Sequence, residues 1–304
     1  MRKLWPWLRV LVGVGILAAL MMRLGTGAFV DGLRAIGIGS ILVALGIGLL
    51  TTVFSAWRWC LVARGLGLRL PLAAAVADCY RALLLNSVLP AGVLGDVHRA
   101  VSHGRQAGDV GRGVRAVVLE RAAGQVVLVV VGVGVLLAQP TPLAAGDLVP
   151  GRGVIVGMLA GLAVVVALGA AAARGRRASR IRDALRTGLA DVRTGVLSRD
   201  TWPGVVLLSV AALAGYLALF VVAARAAGSQ AAVSELLPLL VLALLVMGLP
   251  INIGGWGPRE AVTAVAFGAA GLGATQGLTA AVVYGVLSLI ACLPGVGVLL
   301  LRVR

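Results

Sequence analysis

Stretches of about 18 residues or more with almost no charge recur along this chain, and each is long enough to cross a bilayer as a helix. They fall at 7–24, 37–57, 114–138, 153–173, 203–225 and 277–301. In lipid a segment must satisfy its own backbone, which leaves helices or closed barrels. The runs are continuous rather than alternating, which argues against a barrel. The expected class is an all-α polytopic membrane protein, read as a single domain over 1–304. Composition agrees. Only 12% of the 304 residues are charged, against about 25% in a soluble domain.

Two further apolar segments are broken. Leu89-Pro90-Ala91-Gly92-Val93-Leu94-Gly95-Asp96-Val97-His98-Arg99 interrupts the first, and Leu249-Pro250-Ile251-Asn252-Ile253-Gly254-Gly255-Trp256-Gly257-Pro258-Arg259-Glu260 the second. Both read L-P-x4-G-x3-R, with Pro250 standing 160 residues after Pro90. Loop charge then decides how these segments lie. The arginine-rich N-terminus, 58–69, 174–200 and C-terminus should be cytoplasmic, and the near-neutral 139–152 and 226–235 outside. If 72–89 crossed fully, 174–200, with eight arginines against three aspartates, would fall outside. If 72–89 enters and returns from the cytoplasmic side, and 236–272 does so from the outside, every loop obeys the rule. The expectation is about six full spans plus two re-entrant or broken helix pairs, about eight membrane segments by the same charge rule. Residues 37–138 would then mirror 203–301 as an inverted-topology repeat, a plan that puts a substrate site near the midplane. Two kinked full helices are the alternative.

The linker 174–200 carries Ile181, Leu185, Leu189, Val192 and Val196 at helical spacing. That fits a cytoplasmic amphipathic helix on the membrane surface and also a plain basic loop. The net charge of +16 would suggest nucleic acid on a soluble protein. Here the arginines sit between spans, so they set topology and attract anionic headgroups, and no nucleic-acid partner is expected. Cys60, Cys79 and Cys292 are scattered and form no C-x-x-C pair, so no disulfide framework or zinc site follows. Asp96, His98, His103 and Asp109 match no metal spacing and fall in a stretch read as loop. No metal and no cofactor is expected. The N-terminus reads as an uncleaved first span rather than a signal peptide. Gly157 and Gly161 form a G-x-x-x-G that packs helices within the protomer or supports a homodimer.

Charges inside apolar segments are costly unless paired or wetted, and so point to function. They are Asp78, Arg81, Asp96, Arg99, Glu120, Arg121, Arg259 and Glu260. Arginine presents a planar fork suited to phosphate oxygens. Arg99 and Arg259 are expected to contact a headgroup phosphate, one per repeat. Asp96 and Glu260 would orient them or meet a cationic headgroup. The broken backbone near Gly95 and Gly254-Gly255 would add N–H donors at half-helix N-termini. Asn86 either caps a helix end or binds lipid. Asp78, Arg81, Glu120 and Arg121 are supporting charges, and Glu120-Arg121 sits where side chains can snorkel. The competing reading makes each acid a structural partner of a neighbouring arginine.

At these residues the chain resembles the membrane region of lysylphosphatidylglycerol synthases, a flippase-like domain found alone or fused to other enzymes. The resemblance rests on Trp57-Arg58-Trp59, Tyr80, Asn86, Leu89-Pro90, Gly95-Asp96-x-x-Arg99, Glu120-Arg121 and the stretch from Leu249 to Glu260. Ala91 and Leu94 stand where the family usually has glycines. The resemblance implies movement of a phospholipid, aminoacylated lipid or lipid-linked glycan between leaflets of the cytoplasmic (inner) membrane, with both termini cytoplasmic. Its partners would be membrane lipids, whether anionic, aminoacylated or polyprenyl-linked, and a separate synthase or glycosyltransferase. The aminoacyl-transferase domain of the fused synthases has no counterpart here, so transport is expected rather than synthesis. Two alternatives stay open: a membrane-embedded transferase with Asp96 as base, and a non-catalytic subunit that positions a separate enzyme.

Overall fold

A computed structural model describes residues 22, 27–88, 93–138, 178–248 and 256–300. The expected spans at 7–24 (Met22 apart) and 153–173, the Gly157–Gly161 motif and the Gly254-Gly255 pair lie outside them. Among the described residues the regular elements are helices: α1 Gly27–Arg34, α2 Ile38–Gly65, α3 Leu72–Val88, α4 Leu94–Gln106, α5 Val110–Ala138, α6 Ala178–Gly195, α7 Trp202–Ala226, α8 Val233–Met247, α9 Pro258–Ala269, α10 Ala274–Cys292 and α11 Pro294–Leu300.

Four described stretches are long and apolar enough to cross a membrane: α2, α5, α7, and α10 continued by α11 as Ala274–Leu300. The helices between them are shorter, with 17 residues in α3, 13 in α4, 15 in α8 and 12 in α9. At 1.5 Å per residue these reach about 18–26 Å, less than the ~30 Å hydrocarbon layer. The order long, short, short, long thus occurs twice along the chain. Both second short helices stop alike. Gly108 and Gly271 each have φ +75°, a conformation that costs glycine least. The following N–H turns back, Asp109 to the Gly104 carbonyl and Leu272 to the Phe267 carbonyl, each at 2.9 Å.

Each set of four has its own core. Trp59, Cys79, Ala100 and Val117 pack between α2, α3, α4 and α5. Phe220, Leu240, Phe267 and Tyr284 pack between α7, α8, α9 and α10, with the Phe220 and Tyr284 rings stacked at 4.3 Å. The long helix α2 joins the two by close approach. A Cβ at Gly48 would lie 2.6 Å from the Ala291 Cβ. The outward faces stay apolar: Leu42, Leu49 and Leu50 on α2, Val118, Val126 and Leu137 on α5, and Leu207 on α7 are exposed. Such faces need lipid rather than water.

Two local differences from the sequence reading have physical causes. The stretch after the first break, expected as loop, is helix α4. Its buried face consists of Gly95, Arg99, Ala100, His103 and Gly104, which repeat at helical spacing but carry no large apolar side chain to announce it. Asp96 in its first turn and Arg105 in its last also complement the helix dipole. Trp57-Arg58-Trp59, expected to end a span, lies inside α2, which continues to Gly65. The basic linker does hold a helix. α6 is fastened to the ends of α2 and α5 by the close Gly65–Gly195 approach and by Arg115 donating to Asp191 at 2.5 Å. Leu189 and Leu197 stay exposed there.

Candidate functional site

The first break is closed by Asn86, in the last turn of α3. Its side-chain oxygen accepts the Gly95 N–H at 2.8 Å, and its nitrogen donates to Asp96 Oδ2 at 3.0 Å. Gly95 has no room for a side chain, because a Cβ there would meet the Ala82 Cα at 2.6 Å. Asn86 therefore ties the tail of α3 to the head of α4 across residues 89–92.

From Asp96 a chain of ion pairs runs through α4, α5 and α2, and a hydrogen bond extends it to α7. Asp96 Oδ1 accepts from Arg99 Nε at 2.9 Å and from Arg121 Nη2 at 2.8 Å. Glu120 Oε2 accepts from Arg99 Nη2 at 2.7 Å, and Oε1 from Arg58 Nη2 at 2.5 Å. Arg58 Nη1 donates to Ser209 Oγ on α7 at 3.0 Å. The Arg99 guanidinium lies 4.7 Å from the centre of the Trp59 ring. Charge-assisted bonds of this kind are the strong ones, and buried charges persist only when so paired.

The second break is local. Glu260 Oε2 accepts the Gly257 N–H at 2.6 Å, closing the first turn of α9. Its Oε1 accepts from Arg259 Nε at 3.0 Å and also from Nη2. The Arg259 guanidinium sits 5.0 Å from the Trp256 ring centre and 5.2 Å from that of Tyr284.

A cavity of about 520 Å³ lies between the two cores and touches both breaks. Its polar wall includes Arg58, Asn86, Asp96, Arg121 and Gln125 from the first set of helices, and Ser209, Tyr216, Trp256, Arg259 and Tyr284 from the second. Arg121 is the arginine most open to it, with 44% of its side chain exposed, against 7% for Arg58 and 3% for Arg259. Three glycines on the wall make room for these groups. A Cβ at Gly124 would lie 2.9 Å from Arg58 Nη2, one at Gly248 2.6 Å from Gln125 Nε2, and one at Gly285 2.5 Å from Arg259 Nη2.

Of the residues singled out from sequence, Asn86, Asp96, Arg121 and Arg259 line the cavity. Glu120, Glu260 and Arg99 stand behind it, buried against the arginines they hold or the acids they meet. Asp78 and Arg81 pair with each other on α3 at 2.7 Å. Glu120 does not snorkel; it is 1% exposed. Asp96 and Asp109, weighed as metal ligands, are engaged by arginines instead, Asp109 by Arg112. His103 packs edge-on to Trp59 with ring centres 5.5 Å apart. Sequence reasoning passed over Arg58, Gln125, Tyr216 and Tyr284. For Arg58 a signal existed: an arginine within an apolar helix defaults to a functional role.

Fold and site together define a polytopic helical membrane protein with an arginine-bearing cavity between two four-helix sets. Residues 7–295 match the family described as the lysylphosphatidylglycerol synthase TM region, and the chain belongs to that family. Membership relates it to lipid modification or transport. No individually curated protein matches the chain.

Proposed function

We propose that this protein carries lipid headgroups between the two leaflets of the cytoplasmic membrane through the cavity between its helix sets. The observation that carries the reading is a cavity that reaches the flanks of both proline breaks and holds Arg121 from the first set of helices and Arg259 from the second. The substrate would be a phospholipid, an aminoacylated lipid or a lipid-linked glycan, its chains in the bilayer and its phosphate in the cavity. Arg121 and Arg259 are the phosphate contacts in this reading, one from each half. Arg99, buried behind Asp96, holds the acids in place.

An inverted repeat accounts for the doubled order of long and short helices. In this reading α2–α5 (within 37–138) and α7–α10 (within 203–301) are related by reversal across the membrane. The pairs α3/α4 and α8/α9 enter and return from opposite sides, since none of the four is long enough to span the hydrocarbon layer. Both termini and α6 lie on the cytoplasmic side, where the basic linker obeys the positive-inside rule. Alternating access would rock one half on the other about α2.

The test is movement of a fluorescent phosphatidylglycerol in proteoliposomes, read by dithionite quenching. The wild type should expose inner-leaflet label, and Arg121→Gln and Arg259→Gln should each slow this about tenfold or more, the usual cost of removing a charge-assisted contact. Lipid movement at the wild-type rate in both variants would sink the assignment of the cavity.

A further inference from the structure

We propose that His103 is a pH sensor built into the first set of helices: a proton taken by its ring releases α4 from α2 and so loosens the cavity wall at Asp96. The sensing stands on the packing of α4. Its effect on lipid movement rests on the proposed function.

Two buried polar nitrogens meet where α4 packs on α2. Trp59 and His103 are both buried, with their rings edge-on and ring centres 5.5 Å apart. Neither Trp59 Nε1 nor His103 Nε2 has a hydrogen-bond partner among the described residues. Buried polar atoms are nearly always paired, and an orphan stores strain that another arrangement relieves. The indole nitrogen is a donor at any pH, whereas a single proton changes what an imidazole nitrogen can do.

Arg99, one turn before His103 on α4, holds its guanidinium 4.7 Å from the centre of the same Trp59 ring. One indole thus receives two side chains of α4, a fixed cation and a neutral ring. A proton on His103 makes both of them cations, and a buried cation needs a carboxylate. Asp96 and Glu120 are engaged by Arg99. The carboxylate that acts on His103 is Asp78 on α3, whose Oδ1 accepts from Arg81 at 2.7 Å, and His98 and Arg99 act on that same carboxylate. The Cys60 thiol of α2 and the Cys79 thiol of α3 share this core and by their ordinary values are neutral below about pH 7. From α5 comes backbone: a Cβ at Gly104 would lie 2.6 Å from the Val110 Cα. With Gly95 as close to α3, α4 has no room to take up the charge in place.

The sign follows from burial. A buried ring is held neutral, so the closed contact binds no proton, while an opened one titrates near the ordinary value of about 6.5. The closed form is kept above that value and loses ground as pH falls below it, by about tenfold between pH 7.5 and 5.5. α4 carries Asp96 in its first turn, so its release slackens the Asp96–Arg121 pair on the cavity wall.

The experiment is hydrogen exchange on the whole chain in detergent, with protection factors of the α4 amides measured at about pH 7.5 and 5.5. They should fall about tenfold in the wild type and hold constant in His103→Gln, which takes no proton. An equal fall in both overturns the proposal, and so does constant protection in the wild type. His98→Gln leaves His103 as the one histidine of the chain and serves where His103→Gln does not fold. Its carbon-13 ring resonance should titrate with a midpoint below about 6.5, and a midpoint at or above that overturns the proposal. In proteoliposomes at the same two pH values, fluorescent phosphatidylglycerol should move about threefold or more slowly in acid with the wild type, and at one rate with His103→Gln. Equal slowing in both overturns the link to the cavity. Absence of lipid movement at either pH removes the transport reading, and the exchange data then decide the sensor.

Discussion

The two breaks solve the same problem with different reach. Each must hold a buried arginine beside an interruption of helix in an apolar surrounding. At the second break the solution spans two adjacent residues: Glu260 grips Arg259 and caps its own helix through the Gly257 N–H. At the first, Glu120 and Asp96 link Arg58, Arg99 and Arg121 and so connect α2, α4 and α5, with Asn86 adding α3 and Ser209 adding α7. One break is a local clamp, the other a network that fixes helices to one another. A network couples the helix positions to the charge state of the cavity, because Arg121 shares Asp96 with Arg99. The clamp makes no such connection.

Removing Glu120 should therefore have the largest effect on stability. Glu120→Gln leaves two arginines, Arg58 and Arg99, buried without a full counter-charge. Breaking a buried pair typically costs about 3–5 kcal/mol, and this change strips two at once, so the loss should reach the top of that range. A thermal unfolding curve in detergent checks the size. Hydrogen exchange checks the reach: amides of α2, α4 and α5 should all lose protection. A loss confined to α5 would break the comparison, since Glu120 would then be as local as Glu260.

Glu260→Gln comes next, at about 3 kcal/mol, for one buried arginine rather than two. Its amide can still accept the Gly257 N–H, so part of the cap survives. Exchange should rise in α9 and at Tyr284, which faces Arg259, with α2 to α5 unchanged. Equal spreading in the two variants would show that the clamp is wired into the rest of the molecule after all.

The sequence made the long helices legible and left much of the site hidden, for a physical reason visible at particular residues. Spans are announced by uninterrupted apolar side chains, and α2, α5, α7 and Ala274–Leu300 all carry them. Helix α4 is not announced, because the face it buries is Gly95, Arg99, Ala100, His103 and Gly104. Arg58 was hidden by flanking tryptophans, which on their own mark an interface. Sequence also cannot tell which of two charged neighbours points inward. Successive residues on a helix are turned by about 100°, and that turn alone makes Glu120 fully buried and Arg121 open to the cavity. What could be read was that these charges belong together; which one faces a ligand could not.

The glycines on the cavity wall give a finer probe of the same contrast. Gly285→Ala would set a methyl group 2.5 Å from Arg259 Nη2 and 2.7 Å from the Trp256 ring, and Gly124→Ala one 2.9 Å from Arg58 Nη2. Overpacking of this kind costs about 1–3 kcal/mol. Arg259 is held by the adjacent residue and stands between two rings, so it has little freedom to yield. Arg58 reaches its partners from a neighbouring helix and can shift its long side chain. The larger loss in melting temperature should come from Gly285→Ala. A larger loss from Gly124→Ala would mean that the network, not the clamp, is the more rigid of the two.

Arg121→Gln should change stability least. Its side chain is 44% exposed and its carboxylate partner Asp96 keeps Arg99 and Asn86, so the loss resembles that of a solvent-facing ion pair, within about 1 kcal/mol. The same change takes away the most accessible guanidinium in the cavity. Stability and transport should separate here: an unfolding curve close to wild type beside a much slower movement of phosphatidylglycerol. In the second half no residue should separate them so cleanly, because Arg259→Gln leaves Glu260 buried and uncompensated and must disturb the fold as well. A variant of Arg121 that melts as early as Glu120→Gln would place this arginine inside the structural network and leave the first half without an open contact for a headgroup.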